Sequence, residues 1–144
     1  MEKGLLHLHS ALRWVILILL LFTLVQALTK NQRIRQSSLW LLIASHIMLV
    51  VGLYQLIAGR FGITKGLPEG VSVMKDSFYR FFWVEHPVMM IIAIVLITIA
   101  RGKAKVLNYK STAWLLGIAL LLILLAIPWP FREGGIGRPW FPGG

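Results

Sequence analysis

The sequence predicts an all-α integral membrane protein, a four-helix up-down-up-down bundle forming one membrane domain over residues 1–144. Three observations carry that expectation. The chain is 58% hydrophobic and only 14% charged, where a soluble domain is near half apolar and about a quarter charged. The apolar residues gather into four long runs, each close to the ~20 residues that cross a hydrocarbon core. The basic residues behind the formal net charge of +10 sit mainly between the runs, where topology signals of membrane proteins belong. Backbone groups in lipid must find partners within their own segment, so runs of this kind are helices.

The first span covers residues 5–28. Val25-Gln26-Ala27 loosely fits a small-residue cleavage site, but the preceding stretch is not clearly basic and the apolar run is long for a signal, so it reads as a retained helix. Thr29–Ser38 connects it to the second span, residues 39–58, and holds Lys30, Arg33 and Arg35 with no acid. The next connection, residues 59–77, is too polar to span and carries Gly59, Gly62, Gly66, Pro68 and Gly70. Its charges are mixed, Arg60, Lys65 and Lys75 against Glu69 and Asp76. A lid over the end of the bundle is one role for a loop of that length.

The third span needs a geometric argument. Pro87 disfavours the helical conformation at His86, yet a helix starting at Pro87 and ending at Ala100 would rise only about 21 Å, short of the ~30 Å hydrocarbon core. The span is therefore expected over residues 74–100 with a kink at Pro87, which leaves the Trp83 carbonyl without its usual donor. Arg101–Ser111 follows, with Arg101, Lys103, Lys105, Lys110 and no acid. The fourth span, residues 112–129, has no ionisable side chain between Trp114 and Ile127. Ala113 and Gly117 form a small-xxx-small pair that permits close helix approach. The tail, residues 130–144, is rich in Pro and Trp and reads as interfacial, Trp129 and Trp140 marking the membrane boundary. By the positive-inside rule the first and third connections face the cytoplasm, and both termini and the 59–77 loop face outward.

Several chemistries are excluded. Cys is absent, so there are no disulfides, no thiolate-held iron–sulfur clusters and no covalent c-type haem. Phosphate-loop, nucleophile-elbow and His-Glu-x-x-His patterns are missing. Glu85 and His86 are adjacent, the wrong spacing for a di-iron bundle. The basic charge lies at membrane connections, so nucleic acid is not the expected partner. The lipid bilayer is, together with a redox partner or complex in the membrane, or a second copy of the chain.

Ionisable groups inside a span are costly and usually functional, which singles out His9, His46 and His86. By helical rise His9 lies about 6 Å inside its end of the first span and His86 about 8 Å inside the same end of the third. His46 enters from the other side and lies deeper. Two neutral imidazoles at one level on separate helices suit the axial positions of a haem iron, with His46 able to replace either. His7, two residues from His9, points elsewhere. Arg13 shares the face of His9; a carboxylate partner would be Glu85 or a haem propionate, the alternative being snorkelling to the interface. Glu85 is placed to orient a ligand histidine or relay a proton. Ser45, Tyr54 and Gln55 are candidate hydrogen-bonding groups for a quinone headgroup. The aromatic residues around Phe78–Trp83 either wall a porphyrin or form ordinary core. A non-haem copper or zinc site using His7, His9, His86 and Glu85, and an accessory subunit whose histidines only pack, are the competing readings.

The strings Gly4-Leu5-Leu6-His7-Leu8-His9-Ser10-Ala11-Leu12-Arg13-Trp14, His46 through Gln55, Val84-Glu85-His86-Pro87, Ile127 through Arg132, and Gly137 through Trp140 resemble a family of short bacterial membrane proteins labelled cytochrome b-like. The resemblance extends over nearly the whole chain. It implies a four-helix protein of the bacterial inner membrane, with b-type haem held by histidines matching His9, His46 or His86. The paired deep histidines of two-haem cytochromes b are missing, so one haem near the outer face is the expectation.

Overall fold

The structure, a computed structural model, describes residues 2–59, 61–132 and 136–138, with backbone alone at residues 2 and 3. It is all-helical among these residues. Four long helices dominate: α1 (Glu2–Leu28), α2 (Ile34–Ala58), α3 (Ser77–Lys105) and α4 (Tyr109–Ala126). All four are long and apolar enough to cross a membrane. α1 packs on α2, α2 on α3, α3 on α4 and α4 on α1, which leaves α1 and α3 facing each other diagonally. Arg35 near the start of α2 donates to the Lys105 carbonyl at the end of α3, and His86 near the start of α3 reaches Ala126 at the end of α4.

The side-chain pattern is that of a lipid-solvated bundle. In α2 the inward positions are Ile34, Ser37, Ser38, Leu41, Ala44, Ser45, Met48 and Val51; in α4 they are Thr112, Leu116, Ala119, Ile123 and Ala126. Both sets advance in steps of three and four, the seam of helices crossing at a shallow angle. Small and hydroxylated residues on that seam let the backbones approach. Thr23, Ser45 and Thr112 return their hydroxyls to the Leu19, Leu41 and Asn108 carbonyls four residues earlier, so no buried hydroxyl of these three lacks a partner. Large apolar side chains such as Ile18, Val50 and Trp114 point outward.

The two basic connections are shorter than the hydropathy pattern suggests. α1 closes with the Asn31 N–H on Gln26 O (2.9 Å) and the Lys30 N–H on Ala27 O (3.4 Å). α3 closes the same way, the Asn108 N–H on Lys103 O and the Leu107 N–H on Ala104 O, both 2.9 Å. This six-to-one closure requires one left-handed residue, supplied by Lys30 (φ 54°) and Leu107 (φ 58°). With its carbonyls satisfied in one turn, the chain re-enters a helix at once. α2 thus begins at Ile34, not 39, α3 runs to Lys105, not 100, and α4 spans 109–126, not 112–129.

α3 starts at Ser77, where the Asp76 carboxylate accepts from the Phe78 and Tyr79 N–H groups at 3.0 and 3.2 Å. It does not break at Pro87. A π-turn over Phe81–Glu85 precedes the proline, closed by the His86 N–H on Phe81 O. The wider turn inserts one residue into the helix, so residues five apart fall on one face. Phe81 is buried and packs on His86, five positions later, at 5.8 Å between ring centres. Arg80 and Glu85, again five apart, form an ion pair at 3.6 Å.

Candidate functional site

The end of α4 explains how His86 is held. Pro128 and Pro130 have no N–H, so the Leu124 and Ala126 carbonyls lose the donors a continuing helix would supply. Side chains take those places. The Trp129 indole N–H donates to Leu124 O at 2.9 Å. The Arg132 guanidinium donates to Leu125 O at 2.9 Å and Ile127 O at 3.3 Å. His86 Nδ1 lies 2.7 Å from Ala126 O. A carbonyl only accepts, so Nδ1 carries a proton, and in the neutral ring Nε2 keeps its lone pair.

Across the bundle, α1 brings His9 to the same level. The His9 and His86 ring centres are 6.3 Å apart, their planes inclined by 46°. The two histidines come from diagonal helices, so their rings meet inside the end of the bundle. Gly52 of α2 lies beside them; a Cβ there would stand 3.9 Å from His9 Nε2. Phe81 covers His86, and the Arg132 guanidinium covers Phe81 at 4.6 Å. Arg138 lies over Phe82 at 4.9 Å and Phe78 at 5.5 Å, its N–H on Pro128 O. Arg132 and Arg138 therefore lie over this end of the bundle as a cationic cap on its aromatic rings. Residues 133–135 and 139–144 of the tail, Trp140 among them, lie outside the described residues. The 59–77 connection is tied in as well, Phe61 O accepting from the Trp83 indole at 2.7 Å.

The other expected residues do not converge on the pair. His46 is exposed on the outer face of α2, with Nδ1 2.9 Å from its own helix carbonyl at Leu42. The seam of α2 runs through Ala44, Ser45 and Met48 instead, so His46 cannot replace His9 or His86 without turning the helix. Tyr54 is also exposed, whereas Ser45 is buried and bonded to Leu41; they do not share a headgroup site. Glu85 pairs with Arg80, not Arg13. Arg13 is half-buried with its guanidinium 5.0 Å from the Trp14 ring centre. His7 is exposed. The residues that sequence reasoning missed are Ala126, Pro130 and Arg132. The signal was present in the alternating prolines at 128 and 130, whose missing N–H groups free carbonyls at 124 and 126.

The donor set can be tested against a metal. Nitrogen–metal bonds of about 2 Å, plus about 1 Å from each nitrogen to its ring centre, put two trans imidazoles about 6 Å apart. The His9–His86 spacing fits that arrangement. Among the described residues no group of three or more His, Cys, Asp or Glu side chains is placed to hold a metal ion. Two imidazoles match the axial set of a macrocycle-held iron better than the three or four protein ligands of zinc. No protein family, curated protein or solved structure matches this chain. Nothing in those comparisons bears on the likeness to cytochrome b-like proteins.

Proposed function

We propose that this chain is a haem b protein of the bacterial inner membrane, an electron carrier or quinol-linked redox component working near the outer face, with both termini outside. The observation that carries the reading is the pair of imidazoles, His9 and His86, presented from diagonal helices at 6.3 Å. Bound haem supplies a one-electron couple whose potential depends on its axial ligands. His86 is the fixed member of the pair. Its Nδ1–H is spent on the Ala126 carbonyl, which sets the ring's orientation and leaves Nε2 as the nitrogen that would hold the iron, the support that metal-bound histidines generally have. His9 would supply the second nitrogen, with Gly52 of α2 beside it. Phe81 and Arg132 shield His86 from water. Arg13 stands one helical turn from His9 on the same helix face, the side on which a propionate would meet a guanidinium.

Purified protein, reconstituted with haem where needed, tests this by absorbance. The expected result is a Soret band that is lost in His86→Ala and in His9→Ala and kept in His46→Ala. Protein that stays colourless after reconstitution, or a Soret band indifferent to both His9 and His86, overturns the proposal.

A further inference from the structure

At the opposite, basic end, α4 is flanked by two open apolar grooves of about 570 Å³ each, within the size range of small-molecule sites. One runs between α1 and α4 from Lys30 and Lys110 past Leu24 and Gly117 to Leu121. The other lies between α3 and α4, with Lys103 and Lys110 at its polar end and Ile99 and Leu115 on its walls. Trp114, exposed and shared by both, forms the ridge between them. We propose that one anionic phospholipid sits against α4 here, an acyl chain in the α1–α4 groove and its phosphate on Lys110 between Lys30 and Lys103.

Four observations support this occupant. The first is length. From Tyr109 to Leu121 the α1–α4 groove rises about 18 Å, close to the ~15 Å of hydrocarbon in one leaflet. A partner helix would need the full bilayer. The second is charge. The three lysines are exposed, and no acid occurs in either connection that carries them, so the polar end attracts an anion and suits a juxtamembrane headgroup. A second copy related by a two-fold axis along the membrane normal would bring the same lysines together, which disfavours it. The third is Gly117. The space where its side chain would stand is open, with no atom within 4 Å, so within this chain the small residue serves no helix contact and deepens the groove instead. The fourth is Lys30 itself. It occupies a left-handed position where glycine is least strained, so that turn carries a cation at a conformational cost.

Native mass spectrometry of the whole protein tests the proposal, after incubation with equal amounts of phosphatidylglycerol and phosphatidylcholine. The expected result is a several-fold excess of the phosphatidylglycerol adduct. In the Lys30→Gln, Lys110→Gln double variant the two adducts become equal. In Gly117→Leu adducts of both lipids fall, while Val95→Leu, on the exposed face of α3, matches the parent. Equal retention of both lipids by the parent protein overturns the proposal. So does an undiminished preference in the double variant, or a dimer that Gly117→Leu dissociates, since the groove is then filled by a second copy. The lysines are exposed, so the double variant reads headgroup choice even if Gly117→Leu folds poorly.

Discussion

The two ends of the bundle close their helices by opposite means. At the basic end, α1 and α3 finish in local turns whose backbone N–H groups satisfy carbonyls five residues back. At the histidine end, Pro128 and Pro130 deny α4 that route, and its carbonyls take Trp129, Arg132 and His86, the last forty residues away in sequence. Local closure leaves the lysines outside and free to meet headgroups. Long-range closure fixes an imidazole, an indole and a guanidinium in one cap. Side-chain contacts to helix-end carbonyls are thus concentrated where the proposed chemistry is, and α1 and α3 are closed at the basic end by local turns.

The sharpest way to break this contrast is His86→Ala. It orphans the Ala126 carbonyl and empties packing against Phe81, for an expected loss of about 1–3 kcal/mol from the unsatisfied group alone. Denaturant unfolding in micelles, followed by far-UV circular dichroism, checks it; an unchanged midpoint would mean the contact does not lock the end. Asp76→Ala removes the cap that starts α3 above the π-turn, with an expected cost of about 1 kcal/mol by the same measurement. At the basic end, Lys30→Gly relieves a left-handed residue and is expected to raise stability by about 1 kcal/mol. Leu107→Gly should give no such gain, because Leu107 also packs against Ala27, Ile34 and Ala104. If both glycines stabilise equally, the two turns are not distinguished by packing as described. The smallest effect is expected at His46→Leu, within about 0.5 kcal/mol, since that ring is exposed. A loss of several times that size would place His46 in a contact of its own.

Much of this was legible in the sequence, and each failure has its own physical cause. The four spans follow from length and hydropathy. The shared height of His9 and His86 follows from counting helical rise from one end. The inward face of α2 is not marked by its large apolar residues, as it would be in water. In lipid the driving force for that is gone, and the seam is marked by Ser37, Ser38, Ala44 and Ser45. His46, with its large apolar neighbours, therefore lies outside. The polar stretches after α1 and α3 suggest short connections over residues 29–38 and 101–111, and the still tighter closing turns of Lys30 and Leu107 are set by backbone geometry that hydropathy does not register. At Pro87 the proline signalled an irregularity but not its form. A π-turn keeps the helix continuous and shifts its phase by one residue, which is why Glu85 meets Arg80.

The acceptor that grips His86 is a main-chain oxygen, not a carboxylate. It has no proton to gain or lose, and Nδ1 donates to it in the singly and the doubly protonated ring alike. That contact therefore holds the ring in place whatever Nε2 carries, so this imidazole is built as a fixed post and not as a hinge.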